Sequence, residues 1–164
     1  KGEGSDDTKI YMATKIGYVY AASLHFFTIF LSSIFGVWSE PYVVASHEPM
    51  ACWNPVLFFN GTDLILFYKS GPHAYNWSGF IKRTRDAGKT WTPAQCTYCL
   101  SHFCLQRELL VLPGGIVGPA KNKPVFIKRQ DKSYLLCPSS LETRFRDSAY
   151  MDISEDWGLT WYKV

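Results

Sequence analysis

The stretches Thr84-Arg85-Asp86-Ala87-Gly88-Lys89-Thr90-Trp91 and Ser154-Glu155-Asp156-Trp157-Gly158-Leu159-Thr160-Trp161 share one pattern, [Ser/Thr]-x-Asp-x-Gly-x-Thr-Trp. Each copy follows a strand-like run, Phe80 to Arg83 in the first case and Tyr150 to Ile153 in the second. The pattern describes a tight turn. A short acidic side chain, Asp86 or Asp156, accepts backbone N–H bonds inside it. Gly88 or Gly158 takes the positive-φ conformation that only glycine adopts cheaply. The closing Trp91 or Trp161 offers a large apolar ring for burial. These six residues read as structural rather than catalytic.

A motif present twice calls for a search for a longer period. Val37-Trp38-Ser39-Glu40-Pro41 resembles Thr90-Trp91-Thr92-Pro93, where the chain leaves the turn, and Asn54-Pro55-Val56-Leu57-Phe58-Phe59 resembles Asn122-Lys123-Pro124-Val125-Phe126-Ile127. Trp38 and Trp91 are 53 residues apart, whereas Trp91 and Trp161 are 70 apart. Pro55 to Trp91 spans 36 residues and Pro124 to Trp161 spans 37, so an excess of 16 lies between Trp91 and Pro124. Phe80 and Tyr150 each precede their Trp by 11 residues; with Tyr11 as their equivalent, the 27 residues from Tyr11 to Trp38 carry another 16, within Lys15 to Gly36.

The motif resembles the Asp-box, or BNR repeat, of the sialidase-like β-propellers of the neuraminidase superfamily. The runs from Gly115 to Pro124 and from Leu136 to Glu142 resemble a BNR-type branch found among plant and bacterial sialidase-like proteins. The resemblance implies an all-β fold of four-stranded antiparallel blades around a channel, with the boxes away from the channel mouth. Without the two excess segments 132 residues remain, about two and a half repeats. Closed propellers have about 4–8 blades, and stacked repeats need about three copies for a continuous core. The expectation is therefore a partial propeller of two to three blades over residues 1–164, with non-repeat insertions at about 16–36 and 95–107. It would be a fragment whose partners include the remaining blades. The strand pattern agrees: Pro55 to Phe59 and Leu64 to Tyr68 flank Asn60-Gly61, a strong hairpin signal, and Pro124 to Ile127, Tyr134 to Cys137 and Tyr150 to Ile153 repeat the series.

Aromatic content of 16% and charged content of 19% suit a β-rich, well-buried protein. A net charge of +3 with no basic run longer than two argues neither for nucleic acid nor for an acidic membrane surface, and no nucleic-acid partner is expected. The excess segments are rich in Phe, Leu, Ser, Cys and His, residues with pyrimidine-rich codons, as translation of an unspliced intron would give; we expect both to be retained introns or gene-model errors. Ile16 to Trp38 is also long enough to span a bilayer, so a membrane becomes a partner only if that segment is genuine. An acidic polar stretch before it argues against a cleaved signal peptide. Cys96, Cys99, His102 and Cys104 are ligand types for zinc, but their spacing matches no common finger; no metal and no cofactor is expected. The five cysteines, an odd number, define no disulfide framework. Asn60-Gly61-Thr62 and Asn76-Trp77-Ser78 are glycosylation sequons, which weakly favour secretion.

The resemblance also implies where chemistry would sit. The innermost strands start at the mouth, which would receive Trp53, Asn54, Tyr68, Lys69, His73, Trp77, Lys121, Asn122, Lys123, Ser139 and Glu142. Sialidases use a Tyr nucleophile activated by a carboxylate, so Tyr68 and Glu142 are the candidate catalytic pair. Trp53, Asn54, Lys69, Lys121, Asn122, Lys123 and Ser139 are the candidate substrate-binding residues, the three lysines favouring an acidic sugar. No arginine motif of the family's carboxylate-binding triad is present. Two functions follow: a glycosidase-type hydrolase acting on acidic glycans, or a non-catalytic propeller that binds glycan or protein.

Overall fold

In the computed structural model, described over residues 8–15, 18–24, 38–73, 77–98, 118–119, 122–142 and 145–164, the chain is all β. The strands are β1 (Lys9–Lys15), β2 (Tyr18–Leu24), β3 (Tyr42–Ala45), β4 (Cys52–Phe59), β5 (Leu64–Ser70), β6 (Ser78–Thr84), β7 (Gln95–Tyr98), β8 (Val125–Arg129), β9 (Lys132–Glu142), β10 (Asp147–Ser154) and β11 (Tyr162–Lys163). They form three antiparallel sheets, ordered β2-β1-β3, β4-β5-β6-β7 and β11-β10-β9-β8. The second and third are the four-stranded blades that the repeat predicts. The three sheets do not close into a ring.

The sheets stack face to face, and β5 shows why. Successive side chains of a strand point to opposite faces. Leu66 and Tyr68 join Ile10, Met12, Val44, Cys52, Phe80 and Cys96 in a core between the first and second sheets. Ile65 and Phe67 join Val56, Ile81, Leu135, Cys137 and Trp161 in a core between the second and third. Ile65 through Tyr68 are each no more than 1% exposed, so β5 is a wall of both seams. Polar ties cross the seams as well: the Lys82 ammonium donates to the Val44 carbonyl (2.8 Å), and the Arg83 guanidinium donates to the Trp157 carbonyl (2.7 Å).

The two boxes have matching hydrogen bonds. The Thr84 hydroxyl donates to Asp86 Oδ1 (2.7 Å) and accepts the Gly88 N–H (3.0 Å). The Thr90 N–H and hydroxyl donate to the two oxygens of Asp86 (2.9 and 2.6 Å). In the second copy the Ser154 hydroxyl donates to Asp156 Oδ1 (2.9 Å) and accepts the Gly158 N–H (2.6 Å). The Thr160 N–H donates to Asp156 Oδ1 (2.7 Å) and its hydroxyl to Oδ2. The Thr84 hydroxyl, followed by the Thr90 donors, holds the Asp86 carboxyl far below the usual range. For Asp156 partial burial pushes the other way, and donors from Thr160, Ser154 and Leu159 outweigh it.

Gly88 and Gly158 have φ of 90° and 89°, as the motif requires, but the residues before them, Ala87 (57°) and Trp157 (62°), are left-handed too. The ring of Trp157 is stacked between Phe126 (4.8 Å) and Phe58 (6.2 Å), which offsets the backbone strain and staples the second blade to the third. Trp161 is buried against the second sheet and meets Phe67 edge-on at 6.1 Å. Trp91, half-buried, packs on the first seam and donates its indole N–H to the Tyr42 hydroxyl (3.3 Å). Each box tryptophan thus closes the seam with the preceding blade.

The first sheet matches the repeat at its third and fourth strands. Tyr11 pairs with Val43 just after a bulge, as Phe80 pairs with Cys96 just after a bulge. So β1 corresponds to β6, β3 corresponds to β7, and Tyr11 is the structural equivalent of Phe80. The second expected insertion, 95–107, begins inside the repeat, because β7 uses Gln95 to Tyr98 and buries Cys96. Of the first, residues 18–24 form a strand paired with β1. Its remainder, residues 16–17 and 25–36, lies outside the described residues, as do Cys99, His102 and Cys104 of the zinc candidate. Among the described residues no helix is long and apolar enough to cross a membrane, and no cluster of His, Cys, Asp and Glu could hold a metal ion.

Candidate functional site

Strand register separates the two ends of each blade. Phe59 pairs with Leu64 and Leu64 with Thr84, where the box begins; at the other end Cys52 pairs with Ser70 and Ser70 with Ser78. The start of β4 and the ends of β5 and β9 therefore lie opposite the boxes and carry Trp53, Asn54, Lys69 and Glu142, whereas the start of β8 is level with the second box, because Val125 and Phe126 pair with Leu136 and Leu135, the partners of Ile153 and Ser154.

Asn54 departs most from regular strand there. It has φ of 45°, and the pairing of β4 with β5 shifts register between Trp53 and Val56. A bulge of this kind bends a strand and re-aims its side chains. Trp53 is half-buried; its indole N–H donates to the Gly71 carbonyl (2.8 Å), and its ring meets the buried Trp77 edge-on at 6.3 Å. Trp53 and Asn54 are thus held on a braced corner. Asn122 and Lys123, just before β8, are exposed, and so is His73.

Tyr68 and Lys69 are sequence neighbours on β5 and consequently go to opposite seams. Tyr68 is 0% exposed in the first seam, where its hydroxyl is hydrogen-bonded to His47 Nε2 (2.7 Å) and its ring stacks on Phe80 at 5.4 Å. Glu142 ends β9 in the third sheet, on the far side of the second, and its side chain lies outside the described residues. The backbones of Tyr68 and Glu142 thus belong to different sheets.

Lys69 is also 0% exposed. Burial drives its pKa down from 10.5 to about 7, against the opposing pull of Asp152 and Cys137. The Gly118 segment lies over this group: its N–H donates to Asp152 Oδ2 (2.8 Å), and its carbonyl accepts the Ser139 hydroxyl (2.8 Å). Lys69, Asp152 and Ser139 make a buried polar seam between the second and third sheets. The expected lysine triad is thereby divided, with Lys69 inside, Lys123 in solvent, and Lys121 outside the described residues. His47, Gly118 and Asp152 escaped sequence reasoning. Asp152 alone carried a signal, as a charge within the apolar run from Tyr150 to Ile153.

A family model described as a BNR repeat-like domain matches residues 1–164. No match was found among curated proteins or among solved structures.

Proposed function

Given that the chain belongs to the family of BNR repeat-like domains, we propose that it is the glycan-engaging part of a sialidase-like propeller and that it contributes binding rather than hydrolysis. The observation that carries this reading is the corner at Trp53 and Asn54. A left-handed residue at a bulge, braced by an indole hydrogen bond, is a strained feature at the end of the blade where ligands would enter. Trp53 supplies an apolar face for a sugar ring and Asn54 a paired donor and acceptor. Lys123 is the described candidate lysine that solvent reaches, so an acidic sugar would pair with it, because Lys69 is sealed in the seam.

The second reading, a glycosidase with Tyr68 as nucleophile and Glu142 as its activating carboxylate, rests on family membership. It requires Tyr68 to leave His47 and the first seam.

Titration of neutral, uronate-containing and sialylated oligosaccharides separates the two readings. A binding module gives saturable heat without released sugar, and Trp53→Ala or Asn54→Ala weakens it about tenfold, the ~1–2 kcal/mol of one lost contact. Lys123→Met weakens acidic ligands more than neutral ones. Unchanged affinity in both corner variants would end the binding proposal at this site. Sugar release abolished by Tyr68→Phe and by Glu142→Gln would put hydrolysis in its place.

A further inference from the structure

The first sheet contains a strand in the wrong chain order. In the second sheet the strand on the inner side of β6 is β5, which precedes it in the chain; in the third, β9 likewise precedes β10. In the first sheet the equivalent of β6 is β1, yet the strand in that position is β2, which follows it. The pairing is nevertheless regular and antiparallel from Lys9↔Leu24 to Lys15↔Tyr18, without a bulge. β2 therefore occupies the site of a blade's second strand with the correct polarity but from the opposite direction along the chain.

Register also shows how well β2 matches that site. Thr14, Met12 and Ile10 pair with Val19, Ala21 and Ser23. Their equivalents in the next blade, Arg83, Ile81 and Gly79, pair with Ile65, Phe67 and Lys69. At that position Ala21 of β2 corresponds to Phe67 in the second sheet and to Pro138 in the third, so β2 carries a smaller residue there than β5 does.

We propose that the edge of β1 is a strand-acceptor site, occupied in this chain by the surrogate strand β2, and that the partner it fits is an extended segment with large apolar residues at alternate positions, of the kind β5 presents. Backbone hydrogen bonds supply the affinity in this mode of recognition, and alternate side chains supply the selectivity.

The test is amide hydrogen exchange on the full chain with a synthetic peptide spanning Asp63 to Gly71. Neighbouring residues of an antiparallel strand alternate between facing and avoiding the partner's hydrogen bonds, so Ala21→Pro with Ala22→Pro removes at least one donor to β1. The β1 amides that point to β2 then exchange about a hundredfold faster or more, while those of β5 and β6 stay protected. Adding the peptide restores protection to β1, and a scrambled peptide does not. Unchanged β1 exchange in the double variant, or no restoration by the peptide, overturns the proposal. Should the double variant also lose β5 and β6 protection, the unmodified chain decides: excess peptide accelerates exchange in β2 and leaves β1 protected. Absence of that acceleration at saturating peptide overturns the proposal equally.

Discussion

Ala87 holds a left-handed backbone, φ 57°, with its side chain in solvent, and Gly88 beside it is buried at φ 90°. A β-branched residue is strained at either position, so strain alone does not rank them. A Cβ at Gly88 would run into Met12 on β1 and crowd the Tyr42 hydroxyl. Gly88→Val should therefore cost about 1–3 kcal/mol beyond Ala87→Val, the range for overpacking a tight contact, measured by urea unfolding. Ala87→Gly should stabilise by about 1 kcal/mol, because glycine avoids the left-handed penalty; a loss of stability would contradict the observed φ. The box carboxylates set an acid limit. Both Asp86 and Asp156 titrate below their ordinary range in the fold. Their stabilisation is thus complete above the unfolded value near pH ~4 and is lost as pH falls through the folded value. Asp156→Asn should flatten that acid fall in a pH series of thermal melts.

At the scale of the strand, β5 carries the pH dependence on the alkaline side. Lys69 titrates at about 7 in the fold against 10.5 in a solvated chain, so the unfolded state binds more protons between those values and stability rises with pH from about 7. Burial raises Cys52 to about 11 and pushes Cys137 higher still, so ionisation of these thiols in the unfolded chain lowers stability above their ordinary value of 9.0. Melts across pH 6 to 11 should peak between about 8 and 9, and Lys69→Met should remove the rise below the peak. Trp161→Ala should cost ~3–5 kcal/mol as a buried aromatic. Trp91→Ala should cost less, since Trp91 is only half-buried; equal losses would contradict the seam assignment. The boxes were legible in the sequence because all their donors and acceptors lie within eight residues of one another. So were the blades, whose hairpin at Asn60 is closed by its own side chain, with Oδ1 accepting the N–H groups of Thr62 and Asp63 (2.9 and 2.6 Å). The site was legible only in part. Tyr68 and Lys69 read as parts of one mouth, whereas alternation along β5 sends them to opposite seams, and nothing local announces His47 as the partner of Tyr68.

At the scale of the whole molecule, and among the described residues, the edge strands of the third sheet expose large apolar side chains. Val125, Phe126 and Ile127 of β8 are 56%, 43% and 41% exposed, and Tyr162 of β11 is 44% exposed. Such an edge invites pairing with other chains, so sedimentation should show concentration-dependent association. Val125→Lys with Ile127→Lys should reduce association without lowering the melting temperature; a lower melting temperature would mean that β8 contributes to the core. The two walls of β5 also constrain how these repeats can change over generations. Inserting one codon into β5 would exchange the contents of its faces, delivering Lys69 to the seam of Tyr68 and Tyr68 to the seam of Asp152, and would spoil two cores at once. Inserting two would leave each face with its own residues. The turns absorb length without that penalty: four residues, 60–63, separate paired β4 and β5, two, 130–131, separate β8 and β9, seven, 71–77, separate β5 and β6, and four, 143–146, separate β9 and β10. Lineages of this repeat should therefore tolerate single-residue changes of length in their turns and not within β5.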